Sequence, residues 1–277
     1  MNQLHLFLPC AAGVEGYLAD EVRAITGVGN DDVLTGRGGV MVRGMWRDAM
    51  LLNLYSRLAQ RVLVELSYTE YRSENDLYRA ASEVAWEIWF TPKETFKIEV
   101  TAQHSPLTSL NFAALRVKDA IADRFRAKRH GVRPSVETSR PDVRVHMHLT
   151  TDTCTLYIDT SGEALFKRGW REDKGDAPLK ETLAAAMLAA TGWDPHGPNP
   201  EPLYDPCCGS GTVVIEAAQI ARKIPAGILR RFAFEKLVPF QRHVWEAILD
   251  EAESKILDES PVPIFGSDVS HRMVDFA

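Results

Sequence analysis

The densest chemical signal in this 277-residue chain is LYDPCCGSGTVVIEAA, residues 203–218. A short apolar stretch ends at Asp205, a loop follows with Gly209 and Gly211, and a helical stretch opens near Thr212 and runs through Glu216. Glycines let a backbone approach a ligand closely, and a helix N-terminus presents N–H groups that no carbonyl of the helix can satisfy. Such a turn after a first strand is common in nucleotide-binding α/β folds. It is not a P-loop, because no Lys follows the glycines, nor the G-x-G-x-x-G fingerprint, because Val214 stands where the third glycine would be. A tight strand–helix turn with no ligand stays open on these residues alone. The segment PIFGSD, 263–268, adds a second apolar stretch ending in an acid, Asp268. An acid there can accept hydrogen bonds from both hydroxyls of a ribose.

A different chemistry is concentrated at 116–133. Arg116, Lys118, Arg124, Arg126, Lys128, Arg129 and Arg133 outweigh Asp119 and Asp123 there. The net charge of −6 hides an asymmetry, since residues 1–171 carry +1 and residues 172–277 carry −7. Phosphate contacts respond to local charge, so the acidic average does not exclude RNA. The same run also reads as a solvated helix face. His146 and His148 share one side of a strand without a third ligand at a telling distance, so a half-exposed strand face is expected and no metal. Cys10, Cys154, Cys207 and Cys208 fit neither a disulfide framework nor a zinc spacing, and a reducing cytoplasm is the expected compartment. No window approaches the ~18 consecutive apolar residues of a membrane span, and the N-terminus lacks the basic start of a signal peptide.

Positioning these groups requires two kinds of unit. The first reads strand, helix, bent hairpin and helix, at 4–10, 14–25, 33–42 and 48–66. In the last, Leu51, Leu52, Leu54, Leu58 and Val62 recur at helical spacing. A second α+β block follows: helix 76–89, strand 95–102, helix 112–125, and paired strands 144–149 and 155–159, a small sheet with helices on one face. A third block begins with a helix near 177, with Pro178 in its first turn and Gly192 near its end. A Pro-rich linker, a short strand at 202–204, and the loop described above come next. The long separation of Asp205 from Asp268 is filled by 222–260, in which a helix is expected at 241–257.

The motif DPCCGSGTVVIEAA is similar to motif I of the RNA guanine-N2 methyltransferases, where D-P-x-C-G-S-G-T precedes an IEAA-like helix. The segment GEALFKRGWREDKGDAPLKETLAAAML resembles their basic R-G-[WY]-R stretch and the A-P-L-K-E-x-L-A-A that follows it. FLPCAAGVEGYLADEV looks like their opening ferredoxin-like segment, and roughly 70–160 looks like a THUMP domain. The resemblance covers nearly the whole chain. It is closest to the bacterial 23S ribosomal RNA guanine-N2 methyltransferases, with tRNA guanine-N2 methyltransferases next.

The resemblance implies an α/β and α+β multidomain chain: a ferredoxin-like domain at 1–68, a THUMP domain at 69–165, and the start of a Rossmann-like class I methyltransferase domain at 166–277. It implies S-adenosylmethionine as cofactor, with Asp205, Cys207, Gly209, Ser210, Gly211, Thr212, Glu216 and Asp268 around it. Gly209–Thr212 would face its methionine and adenosyl ends, and Asp268 would hold its ribose. It implies RNA as partner, in 23S rRNA or a pre-ribosomal particle or alternatively tRNA, bound through Lys118, Arg124, Arg126, Lys128, Arg129 and Arg133. Lys167, Arg168 and Arg171 either face RNA or buttress the domain junction. A monomer is expected. Cys207 and Cys208 read as small loop residues rather than nucleophiles. The later [DN]-P-P-[YFW] motif, which would orient the guanine amine, does not occur in the 72 residues after Asp205. A truncated chain, inactive by itself, is therefore expected, and no catalytic residue is assigned. A thiouridine synthase would need an ATP-type loop, which is not seen, and the basic block argues against a small-molecule or protein substrate.

Overall fold

The computed structural model describes residues 3–171 and 179–276. Alternating apolar residues build the first layer. β1 (Leu4–Pro9) buries Leu6 and Leu8, and α1 (Glu15–Thr26) adds Leu18, Ala19 and Val22 to the same core. The hairpin β2 (Val33–Gly36) and β3 (Gly39–Gly44) contributes Val33, Val40 and Val42. α2 (Trp46–Tyr55) then leads through a loop to β4 (Leu63–Glu70). The second unit comprises α3 (Glu74–Glu83), β5 (Phe96–Ala102), α4 (Leu110–Lys128), β6 (Val143–Leu149) and β7 (Thr153–Asp159). Its centre is aromatic: the rings of Phe90 and Phe125 lie 5.0 Å apart, and Phe96 is 6.0 Å from Phe90.

These two units share one seven-stranded sheet, ordered β2-β3-β1-β4-β7-β6-β5 and antiparallel except at β5–β6. β4 is the hinge of this arrangement, pairing with β1 at Phe7–Leu63 and with β7 along its whole length. The boundary expected at 68/69 falls inside that strand.

One element differs from its sequence pattern outright. A single helix over 48–66 is not formed; α2 stops at Tyr55 and the chain becomes strand at Leu63. Leu51, Leu52, Leu54, Leu58 and Val62 are all buried, so their spacing reports burial correctly but not periodicity. Pairing of 63–70 to two neighbouring strands outweighs local helical preference there. The helix expected at 76–89 likewise ends at Glu83, and Trp86–Ile88 is a 3-10 turn. In α4 the buried face is Ala113, Val117, Ala120, Ile121 and Phe125, whereas Phe112 and Leu115 stay half exposed.

The third unit contains α5 (Glu181–Thr191), β8 (Leu203–Asp205), α6 (Thr212–Ala221), α7 (Arg242–Ser254), β9 (Ile264–Gly266) and α8 (His271–Phe276). Pro178 lies outside the described residues. Gly192 closes α5 in the left-handed region. β8 and β9 pair in parallel.

Between α6 and β9 the chain leaves its own sheet and crosses the N-terminal units. Gly227 N–H donates to Leu54 O at 2.8 Å, Phe234 N–H to Thr160 O at 2.9 Å, and Val238 N–H to Trp89 O at 2.8 Å. A Cβ on Gly227 would meet Phe232 at 2.6 Å and Asn53 O at 2.8 Å, so only glycine permits this approach. Phe232, Phe234 and Trp245 are buried and packed edge to face or stacked, with Phe234 and Trp245 centroids 4.9 Å apart. No helix among the described residues is long and apolar enough to cross a membrane.

Candidate functional site

The loop between β8 and α6 is held from both sides by carboxylates. Asp205 Oδ1 accepts from Cys207 N–H at 3.0 Å, and Asp205 O accepts from Ser267 N–H at 2.9 Å. Asp268 Oδ2 accepts from Gly209 N–H at 2.9 Å, and its Oδ1 accepts from Ser270 N–H at 2.9 Å. Those two backbone donors, Ser270 first, hold the Asp268 carboxyl below its ordinary value of 3.8, so it is ionised at neutral pH. Gly209 and Gly211 have φ of +54° and +78°, and the space beside Gly209 where a Cβ would stand is open. The strand ends of β8 and β9, the left-handed loop and the N-terminus of α6 thus bring Asp205, Gly209, Ser210, Gly211, Thr212 and Asp268 together in one place. Cys207 is exposed and Cys208 buried; burial and then the Asp205 and Asp268 carboxylates push the Cys208 thiol up.

Glu216 and Arg168 meet each other at the domain junction, the second of the two places expected for Arg168. Glu216 is fully buried in a charge cluster: Arg168 Nε and Arg57 Nη1 each lie 3.0 Å from its carboxylate. Arg168 is 2 % exposed and also donates to Leu165 O and Arg57 O, so it cannot reach RNA. Both residues belong to the domain junction. A buried carboxylate needs this double pairing, since an isolated charge there would be very costly. Burial lowers the pKa of the Arg57 guanidinium and Glu216 opposes that shift.

Arg171 also turns inward. Its Nε donates to Glu181 at 2.9 Å, Nη1 to Ser210 Oγ at 3.1 Å and Nη2 to Thr212 Oγ1 at 2.7 Å, with the guanidinium 4.7 Å from the Trp170 ring centroid. Lys167 remains outside, paired to Glu163.

The basic run divides in the same way. Arg124, expected at a phosphate, instead makes two 2.8 Å bonds to Glu87 and a third to Ser82 O, so its fork is occupied by protein. Lys118 pairs with Asp119 and Arg126 with Asp123, both at or near the surface. Lys128, Arg129 and Arg133 are exposed at and beyond the end of α4, with no ion pair among the described residues. His146 faces Asp159 at 3.4 Å and Glu99 at 3.6 Å, and His148 faces Thr101.

Arg57 is the junction residue that sequence reasoning missed, and nothing around it in the sequence distinguishes it. Glu216 did carry a signal: an acid inside VVIEAA, an otherwise apolar stretch, must be buried with a cation. A cleft of about 770 Å³ lies between α1 and the α5–α6 pair, away from the glycine loop; Glu21 on its wall is already bonded to Ser56, Arg57 and Leu58.

Comparison with known proteins divides the chain into three matched families. Residues 5–63 match the RlmL ferredoxin-like domain, 71–159 the THUMP domain, and 168–277 the RMKL-like methyltransferase domain. The "Ribosomal RNA large subunit methyltransferase K/L" of Syntrophotalea carbinolica is 40% identical over 253 residues, which is 91% of this chain and 35% of that protein. The chain thus spans about a third of the length of such relatives. The "Putative RNA methyltransferase slr0064" of Synechocystis is 35% identical over 272 residues, covering 98% of this chain and 69% of that one. A crystal structure described as a "putative methyltransferase complexed with SAH" superposes with a TM-score of 0.88 at 29% identity, over 100% of this chain and 71% of its own. The three matched units, in this order and over this length, place the chain in the RNA methyltransferase family that joins an RlmL-type ferredoxin-like domain and a THUMP domain to an RMKL-like methyltransferase domain.

Proposed function

We propose that this chain carries an RNA-binding body and the cofactor site of an S-adenosylmethionine-dependent methyltransferase acting on the exocyclic N2 of a guanine in 23S ribosomal RNA. Its working division is 1–68, 69–165 and 166–277, and it acts in the cytoplasm as a monomer. The observation that carries this reading is the glycine loop clasped between Asp205 and Asp268, with open space beside Gly209.

The residues fit the cofactor. An ionised carboxylate offers about four acceptor positions. Asp268 uses two on Ser270 and Gly209, leaving two for the hydroxyls of a ribose. The N-terminus of α6 presents a partial positive charge suited to the carboxylate of a methionine moiety. When bound, the cofactor supplies a sulfonium methyl as electrophile. The guanine amine is a weak nucleophile because its lone pair is delocalised into the ring, so catalysis consists mostly of positioning. The guanine must leave its stack to reach the methyl group. Lys128, Arg129 and Arg133 supply phosphate contacts that fix the RNA without reading its sequence.

The guanine-N2 specificity rests on the motif I likeness, and the ribosomal target on the names of relatives such as the K/L enzyme. Calorimetry tests the cofactor: heat of binding with S-adenosylhomocysteine is expected, and binding of NAD or ATP in its place overturns the assignment. Nucleoside analysis of 23S rRNA from cells lacking the gene tests the target. Loss of one N2-methylguanosine is expected, and an unchanged profile rejects the target.

A further inference from the structure

We infer that Arg171 is a positioning residue that makes the Ser210 and Thr212 hydroxyls hydrogen-bond donors for the amino-acid carboxylate of the methyl donor. This rests on the cofactor reading above and adds to it a residue, a direction of hydrogen bonding and a part of the ligand.

The inference follows from what arginine can and cannot do. A guanidinium has five N–H donors and no acceptor. Nη1 lies 3.1 Å from Ser210 Oγ and Nη2 lies 2.7 Å from Thr212 Oγ1, so both hydroxyl oxygens must accept from Arg171. Each hydroxyl then has its single proton left to donate. Among the described residues neither proton has an acceptor. Thr212 is only 4 % exposed, so its O–H is not simply given to bulk water. A buried donor without an acceptor is costly, and a ligand that brings acceptor oxygens relieves that cost. These two donors sit at the left-handed turn of Gly211 and the first residue of α6, beside the backbone N–H groups that open the helix. Hydroxyl donors, helix N–H groups and a guanidinium charge behind them together suit an anion with paired oxygens, and in the methyl donor that anion is the amino-acid carboxylate. Arg171 is itself held: Glu181 accepts from Nε at 2.9 Å, and the Trp170 ring lies 4.7 Å from the guanidinium carbon. The pair to Glu181 fixes the fork's orientation, so the two hydroxyl oxygens stay acceptors and their protons are left directed away from the guanidinium.

The test compares two ligands that differ only at this end. S-adenosylhomocysteine carries the amino-acid carboxylate, and 5′-methylthioadenosine lacks it. In the 277-residue chain, Arg171→Met is expected to weaken S-adenosylhomocysteine by about tenfold or more, the scale of one charge-assisted hydrogen bond. Binding of 5′-methylthioadenosine, which has no carboxylate to lose, should change by less than about twofold. Arg171→Lys, which restores charge but not the fork, should recover part of the loss. Ser210→Ala with Thr212→Val should reproduce the selective loss, and serves if Arg171→Met does not fold by its melting transition. Equal weakening of both ligands means that Arg171 only supports the fold, and unchanged affinity for both removes it from the site; either result overturns the inference. If the unsubstituted chain binds 5′-methylthioadenosine and S-adenosylhomocysteine equally, the carboxylate contact is absent while the adenosyl reading stands. If it binds neither, the cofactor reading itself fails.

Discussion

The cations at the end of α4 and those at the junction with α6 are the same residue types under opposite conditions. Lys128, Arg129 and Arg133 stand in solvent without ion pairs among the described residues, whereas Arg57 and Arg168 enclose a carboxylate with no exposure at all. A solvated cation keeps its hydration and its counterions until a phosphate replaces them, so it contributes to binding and little to folding. A buried one has given up its hydration on folding, and its loss strands a partner. Position in the fold, more than residue type, assigns arginine its task here.

The sharpest way to break the comparison is to remove the shared carboxylate. Glu216→Ala leaves Arg57 and Arg168 facing each other in the interior, and about 3–5 kcal/mol of stability should be lost in denaturant unfolding. A loss below about 1 kcal/mol would show that the cluster relaxes into water and is not a junction lock. Gly227→Ala comes next. Its Cβ would press on the Phe232 ring and the Asn53 carbonyl, and overpacking of this kind costs about 1–3 kcal/mol, read as a lowered melting temperature. Reversing Lys128, Arg129 and Arg133 to Glu should leave stability within about 0.5 kcal/mol. It should lower RNA affinity on every sequence and reduce the salt slope by about one per contact. An unchanged salt slope would make that face merely solvated.

The smallest effect is a pH dependence at Arg124. Its hydrogen bonds hold the Glu87 carboxyl below the ordinary 4.5. The folded value is the lower one, so the stabilisation is complete above pH 4.5 and is lost as pH falls through the folded value. Glu87→Gln should therefore flatten the acid side of the stability curve and leave the neutral side nearly level. An acid limb as steep as that of the unsubstituted chain would remove the pair from the account.

The sequence was legible where local pattern and final structure ask for the same thing. The glycine loop, β8, β9 and the acids at their ends stand where 203–218 and 263–268 implied. The helix over 48–66 failed because Leu54, Leu58 and Val62 satisfy a helical spacing while strand pairing, a long-range effect, decides the conformation. The partner of Arg124, and the choice between RNA and the junction for Arg168 and Arg171, were not legible for a related reason. Each depends on an acid or hydroxyl between 10 and 48 residues away in sequence, and no local pattern reports such a partner. The stretch 222–260 appeared as extra length, and only its contacts with Leu54, Trp89 and Thr160 reveal it as the fastening of the third unit to the first two.

That fastening has a consequence for the order in which the molecule is made. Leu203 pairs with Ile264 only after about sixty intervening residues have been placed, a costly loop to close from a free chain. Domains emerging first from the ribosome fold first. The seven-stranded sheet is complete by Asp159, so it is available as a template on which Gly227, Phe234 and Val238 dock before β9 exists. Docking brings the two ends of the long loop together and leaves β9 a short local search for β8. The β8–β9 pair and the glycine loop it carries are then the last part to assemble, and in refolding monitored by hydrogen exchange the amides of β8 and β9 should gain protection after those of the sheet; protection at the same time or earlier would show that the pair forms without its template.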